Sequence, residues 1–81
     1  VSWGANNRTV AIRLPDTLPE HKHIEHRVAG ADADPEQVIG VILAAMHYGL
    51  RNECPLPPQI YGDASLGMYN LPRLPASLEE A

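Results

Sequence analysis

The sequence is poor in cysteine, in basic residues and in long apolar runs, and each shortage excludes a class of protein. The single cysteine, Cys54, cannot form an internal disulfide and suits a reducing compartment, so we expect a cytoplasmic location. Six Lys and Arg stand against ten Asp and Glu, a formal net charge of −4 that argues against nucleic acid as a partner. The longest apolar run, residues 38–46, is too short for a bilayer span of about 20 residues, so no membrane is expected either.

With 81 residues the chain can form at most one small domain, and its ends predict that it is part of a larger one. It begins at Val1 without a methionine. It ends in residues 77–81, where Ser77 followed three positions later by Glu80 is typical of the start of a helix. We expect a partial domain that ends in a truncated helix.

The sequence patterns predict an α+β fold that opens with an antiparallel pair of strands. Residues 8–14 alternate between apolar and polar, and residues 23–28 form a second short strand after a loop that begins at Pro15. Asp34 at a cap position and Pro35 after it predict a helix over about residues 35–50.

This helix is apolar on every side around residues 38–46, so it should be buried and needs cover that two strands cannot supply. The segment 51–76 contains five prolines and is expected to form wrapping loops.

The second strand carries a carboxylate between two nitrogen-bearing groups. Glu25 shares one face with His23 and Arg27, at spacings of about 6.6–7 Å. The carboxylate could hold a divalent cation, and Arg27 could bind a carboxylate or phosphate through two parallel hydrogen bonds. An ion pair on a solvated face is the alternative.

Arg8 and Arg13 make a similar case for an anionic ligand. Five positions apart on one strand, they would point to opposite faces, unless a twist, a bulge or a ligand at the strand end brought them together. A plain surface arginine is the alternative for either. A small metal-binding module built on His21, His23, Glu25 and His26 is a further hypothesis, although the spacing is not that of a structural zinc site.

A resemblance to a known family covers essentially the whole chain: it lies in Ser2-Trp3-Gly4, in residues 7–15 and 24–33, in the helix 35–50 and in residues 71–81. In this order and spacing the segments resemble the C-terminal catalytic region of the glutamine synthetase family, and the sequence is similar to the branch that includes γ-glutamylpolyamine synthetases.

The resemblance implies roles for five residues. Arg8 would stabilise the phosphoryl group in transfer, and Arg13, together with the position of His23, would contact the nucleotide. Glu25 would bind Mg²⁺ or Mn²⁺ between the ATP phosphates, and Arg27 would hold the α-carboxylate of glutamate.

The resemblance further implies an ATP-dependent ligase of nitrogen metabolism that makes glutamine or γ-glutamyl-polyamine products. Glutamate would attack ATP to form γ-glutamyl phosphate, which ammonia or an amine then displaces. The parent would assemble into a ring-shaped homo-oligomer with active sites between subunits, and the 81-residue piece alone would be inactive.

Four positions depart from the family's usual pattern. The family usually has arginine at the position of His23, asparagine at that of Asp34, and an aromatic and an aliphatic residue at those of Glu36 and Gln37. The departures at His23, Asp34 and Glu36 motivate an alternative, a non-catalytic glutamine synthetase homologue with a role in assembly or regulation.

Overall fold

The computed structural model describes residues 1–81 and contains one small sheet and one long helix. The strands are β1 (Trp3–Ala5), β2 (Ile12–Leu14) and β3 (Glu25–His26), in the spatial order β1-β2-β3. The helix, α1, spans Pro35–Arg51. Two short 3₁₀ turns, Pro19–His21 and Gly67–Tyr69, complete the regular structure.

Strands β2 and β3 form the expected antiparallel pair, with Arg13 opposite Glu25. Both are shorter than predicted: β2 covers Ile12–Leu14 instead of 8–14, and β3 covers Glu25–His26 instead of 23–28. Strand β2 is shorter than predicted because the Asn7 side chain accepts the Thr9 backbone N–H at 2.9 Å, which folds residues 7–9 into a turn.

Strand β1, which the sequence patterns did not predict, pairs parallel with β2. Asn6 follows it with a φ of 49°, in the left-handed region that Asn tolerates, and its N–H donates to the Leu14 carbonyl at 2.7 Å. On the other side of β1 the Ile60 N–H donates to the Trp3 carbonyl at 2.9 Å. The outer edge of β1 is therefore hydrogen-bonded to a residue that is distant along the chain.

The core is very small and lies where these distant segments meet. Only Gly4, Val10 and Ile60 are buried. A Cβ on Gly4 would lie 2.7 Å from the Ile60 carbonyl oxygen, so the close approach of the two backbones requires glycine.

Helix α1 begins as its cap residues predict and ends one residue later than expected. The Asp34 carboxylate accepts the Glu36 N–H at 2.9 Å, with Pro35 in the first helical position. Asn52 caps the other end, where its backbone N–H donates to the Tyr48 carbonyl at 3.0 Å.

The prediction that α1 is buried is wrong for this chain. None of its residues is buried, and it packs against no other helix or strand. The reason is physical: strands of two or three residues offer no face wide enough to cover a 17-residue helix. Large apolar side chains therefore lie exposed along it: Ile39, Val41, Leu43, Met46, Tyr48 and Leu50.

Beyond α1 the chain consists of loops and turns, apart from the 3₁₀ turn at Gly67–Tyr69. The predicted helix at 77–81 is only a turn here, in which the Ser77 hydroxyl accepts the Glu80 N–H at 3.3 Å. The whole chain exposes 6926 Å². A compact monomer of this mass exposes about 4,800 Å². No helix has both the length and the apolar character required to cross a bilayer.

Candidate functional site

Two arginines and a glutamate form a charged cluster on the β2–β3 pair, which we call the Arg–Glu–Arg cluster (Arg13, Glu25 and Arg27). Arg27 Nη1 donates to Glu25 Oε2 at 2.8 Å, and Arg13 Nη1 lies 3.5 Å from the same oxygen. The Arg13 side chain is only 14% exposed, whereas those of Glu25 and Arg27 are 39% and 32% exposed. The cluster is thus anchored on the Arg13 side and open to ligands on the other.

The charges in this cluster favour an ionised glutamate. The hydrogen bond from Arg27 lowers the pKa of Glu25, and the positive charges of Arg27 and Arg13 act in the same direction. With one carboxylate between two guanidinium groups, the cluster carries a net positive charge. It is therefore suited to bind an anion such as a carboxylate or a phosphate.

Arg13 is held in place by contacts on both sides of its guanidinium group. Its Nη2 donates to the Asn6 Oδ1 at 2.5 Å, while Nη1 faces Glu25. Its Nε is buried and has no hydrogen-bond partner in the protein. An orphaned donor of this kind marks a place where a further acceptor would be favourable.

Glu25 retains one oxygen that could bind a metal ion. Both guanidinium contacts go to Oε2, which leaves Oε1 without a protein hydrogen bond. A carboxylate oxygen is the ligand type that Mg²⁺ and Mn²⁺ prefer, so the residue fits such an ion. One oxygen beside two cations cannot hold the ion alone, and the other ligands would have to come from phosphates or from other protein segments.

The histidines do not form a metal site. Nowhere in residues 1–81 do three His, Cys, Asp or Glu side chains come close enough to share an ion. His23 lies outside β3 and is exposed, with its Nδ1 at 2.7 Å from the His21 carbonyl oxygen. The structure therefore contradicts the small metal-binding module built on His21, His23, Glu25 and His26, and it does not bring His23 into the Arg–Glu–Arg cluster.

Arg8 lies apart from the cluster, on the turn between β1 and β2. It lines an open depression of about 410 Å³ between residues 5–9 and 59–63. The ion pairs of the chain are those that Arg13 and Arg27 make with Glu25, so the exposed guanidinium of Arg8 has no carboxylate partner. Because Arg8 is in a turn and not in a strand, strand alternation does not dictate its orientation relative to Arg13.

Sequence reasoning missed the residues that hold this turn. Asn7 and Thr9 bind each other and the segment 60–64 through their side chains. The spacing Asn-x-Thr, with a side-chain oxygen two residues before a backbone N–H, is a recognised turn signal and could have revealed the local half of this arrangement.

Comparisons with known proteins agree on one family. The family model described as the catalytic domain of glutamine synthetase matches residues 1–81. The gamma-glutamylputrescine synthetase of Escherichia coli K12 is 48% identical over 62 residues, which cover 76% of this chain and 13% of that protein. No solved structure gives a significant match.

Two further relatives match nearly the whole chain. The glutamate–isopropylamine ligase of a Pseudomonas species is 40% identical over 81 residues, 99% of this chain and 18% of the relative. The glutamine synthetase of Aquifex aeolicus VF5 is 36% identical over 87 residues, 100% of this chain and 19% of the relative. The chain thus spans less than a fifth of the length of each curated relative that it matches.

Proposed function

The chain belongs to the glutamine synthetase family, and on this premise we propose that it forms part of an ATP-dependent ligase that joins glutamate to ammonia or to an amine. The observation that carries the proposal is the Arg–Glu–Arg cluster, in which one ionised carboxylate with a free oxygen stands between two guanidinium groups. The ligase reaction requires a metal ion and two anionic reactants, ATP and glutamate, in one site.

Glu25 and Arg27 supply the metal and glutamate contacts in this proposal. The free Oε1 of Glu25 is a ligand for Mg²⁺ or Mn²⁺, which when bound neutralises charge on the ATP phosphates. Arg27 is one-third exposed at the open side of the cluster, so it can bind the α-carboxylate of glutamate.

The remaining arginines serve the phosphates. Arg13, whose guanidinium group is held by Asn6 and Glu25, contacts the nucleotide. Arg8, which has no protein partner, stabilises the phosphoryl group as it is transferred. His23 is proposed as a weaker nucleotide contact, because an exposed imidazole replaces the arginine that the family usually has.

The proposed reaction has two steps. A side-chain carboxylate oxygen of glutamate attacks the γ-phosphorus of ATP, which gives γ-glutamyl phosphate and ADP. The amine nitrogen then attacks the acyl carbon, inorganic phosphate leaves, and the nitrogen loses a proton. Fixed cations stabilise the charge that develops at each stage.

Residues 1–81 alone should not catalyse this reaction. Their metal ligand is a single carboxylate oxygen, and both the cluster and the depression at Arg8 are open to solvent. We propose that the rest of the site comes from further protein segments and from a neighbouring subunit of a ring-shaped homo-oligomer.

The full-length gene product that carries these residues provides the test. We expect phosphate release from ATP to require both glutamate and an amine, with the γ-glutamyl product identified by mass spectrometry. The amine series should include ammonia, putrescine and isopropylamine. A folded, full-length protein that releases no phosphate under these conditions would refute the ligase proposal.

A non-catalytic homologue is the second candidate, and the position of His23 is the observation that favours it. His23 lies outside the Arg–Glu–Arg cluster, bound only to the His21 carbonyl, so a nucleotide contact of the family is weakened. This candidate predicts that the full-length protein assembles into an oligomer yet shows no glutamate-dependent turnover.

A further inference from the structure

We infer that Asn7 is a positioning residue for Arg8. Its side-chain amide forms hydrogen bonds between the turn in which Arg8 lies and the distant segment 60–64. The inference rests on the proposed function of Arg8. It concerns a residue that has no place among the five proposed ligand-binding positions.

The Asn7 side chain forms hydrogen bonds through both its nitrogen and its oxygen. Nδ2 donates to the Gly62 carbonyl at 2.9 Å and to the Ile60 carbonyl at 3.2 Å, 55 and 53 residues further along the chain. Oδ1 accepts from the Thr9 backbone N–H at 2.9 Å and from the Thr9 hydroxyl at 2.7 Å. An asparagine side chain has two N–H donors and two lone pairs on its oxygen, so its hydrogen-bonding capacity is fully used here.

Thr9 adds a second link to the same segment. Its Oγ1 accepts the Ala64 backbone N–H at 2.9 Å. Its one hydroxyl hydrogen goes to Asn7, since the Gly62 carbonyl is farther away at 3.3 Å. We call these contacts between Asn7, Thr9 and residues 60–64 the Asn–Thr clasp.

The clasp holds the residues directly before and after Arg8, and Arg8 itself takes no part in it. The guanidinium group therefore stays free for a phosphate, while the backbone that carries it is fixed. A displacement of about 1 Å at a reacting group can cost about 100-fold in rate. The placement of Arg8 should accordingly depend on the clasp, although Asn7 need not touch a substrate.

The substitution Asn7→Asp tests the clasp with almost no change in side-chain size. It replaces the donor Nδ2 by an oxygen that faces two carbonyl oxygens, so the links to Gly62 and Ile60 become repulsive. Asn52→Asp is the matched control. It removes one bond, from Nδ2 to the Tyr48 carbonyl at 2.9 Å, at the end of α1.

The kinetic experiment uses the full-length gene product. We expect Asn7→Asp to lower kcat by about 100-fold. The KM for the amine should remain unchanged, and Asn52→Asp should behave like the wild type. In an Arg8→Ala background, Asn7→Asp should cost little more, because a residue that acts through Arg8 has nothing left to position. Equal losses in the two backgrounds would overturn the inference.

Thr9 gives a second pair of variants in case Asn7→Asp fails to fold. Thr9→Val removes the hydroxyl links at similar volume and should lower kcat, whereas Thr9→Ser keeps the hydroxyl and should restore it. A Thr9→Val protein with wild-type kcat would contradict a role for the clasp.

Hydrogen exchange tests the clasp without reference to activity. Peptides that cover residues 5–10 and 59–65 should exchange faster in Asn7→Asp than in the wild type or in Asn52→Asp. Identical exchange would refute the inference. A wild-type protein without glutamate-dependent activity would instead refute the proposed function, and the exchange experiment would still decide whether Asn7 holds the turn.

Discussion

Arg13 and Glu25 stand opposite each other across the β2–β3 ladder, and their side chains approach to 3.5 Å on one face of the sheet. Arg27 follows Glu25 by two residues, so strand alternation directs it to the same face, where it binds the same carboxylate oxygen at 2.8 Å. The register of two short strands thus brings together three charged side chains and leaves Oε1 of Glu25 free.

Glu25→Gln should weaken metal binding without a comparable loss of folding stability. The amide retains an oxygen but loses the charge that attracts a divalent cation, so we expect the Mg²⁺ concentration for half-maximal activity of the full-length protein to rise at least about 10-fold. Glu79→Gln, an exposed position, is the control. The Mg²⁺ requirement is measured as activity against Mg²⁺ concentration. An unchanged requirement would contradict the role of Glu25.

Arg8→Ala should reduce kcat by about 10³-fold, the effect of an arginine that stabilises phosphoryl transfer. Folding should survive, because Arg8 is exposed and has no carboxylate partner. Arg73→Ala serves as the control at another exposed arginine. Steady-state kinetics with a thermal melt of each variant separate the two effects, and near-normal turnover of Arg8→Ala would refute its role.

Acid should loosen the turn at residues 63–65. Hydrogen bonds from the Ser65 hydroxyl and backbone N–H lower the pKa of Asp63, so the ionised form is favoured in the folded state. A lowered pKa contributes stability above the ordinary aspartate value of about 3.9, and that contribution is lost as pH falls through the folded-state value.

We therefore expect the Ser65 amide, which bonds Asp63 at 2.9 Å, to be protected at pH 6 and to lose protection below about pH 4. Hydrogen exchange corrected for intrinsic rates measures this. In Asp63→Asn the pH dependence of Ser65 amide protection should vanish. If this pH dependence persists in the variant, another group is responsible for it.

Gly4→Ala should destabilise the fold by about 1–3 kcal/mol, because the added Cβ would overpack the contact with the Ile60 carbonyl. Gly67→Ala is the matched control, since a Cβ there meets no atom within 4 Å. Urea unfolding of the full-length variants gives both values. A Gly4→Ala protein as stable as the control would show that the two backbones can separate without cost.

The isolated 81-residue chain should fold poorly or aggregate. It exposes 6926 Å², well above the value of about 4,800 Å² for a compact monomer of this mass, and six of its sixteen exposed large apolar side chains lie on α1. Circular dichroism melts measure whether the chain unfolds cooperatively, and analytical ultracentrifugation measures whether it aggregates. A sharp, cooperative melt of a monomer would contradict the expectation.

Local signals in the sequence were sufficient for some elements of this fold. The cap at Asp34 and the proline after it located the start of α1, and strand alternation placed Glu25 and Arg27 on one face. The resemblance to the glutamine synthetase family is confirmed over residues 1–81, and the 48% identity to the E. coli gamma-glutamylputrescine synthetase supports the proposed branch.

The remaining features depend on contacts between distant residues, which no local pattern encodes, or on a local turn signal that competes with strand alternation. Strand β1 has three residues and no alternation of apolar and polar side chains. It forms because β2 pairs with one of its edges and the Ile60 N–H donates to the Trp3 carbonyl on the other. Residues 8–11 alternate like a strand, but the hydrogen bonds of Asn7 compete successfully with that pattern. The assignments of Arg8, Arg13, His23, Glu25 and Arg27 to particular ligands stay predictions.

The separation of Gly4 and Val10 from Ile60 along the chain determines when the structure can form. These three residues are the whole core, and about 50 residues lie between its two parts. At about 5–20 residues per second, the ribosome needs roughly 3–10 s to add them. During that interval α1 can form from local contacts, whereas the sheet edge and the turn with Arg8 wait for their partner. The sheet edge and the turn with Arg8 are therefore completed only after residues 60–64 have been synthesised.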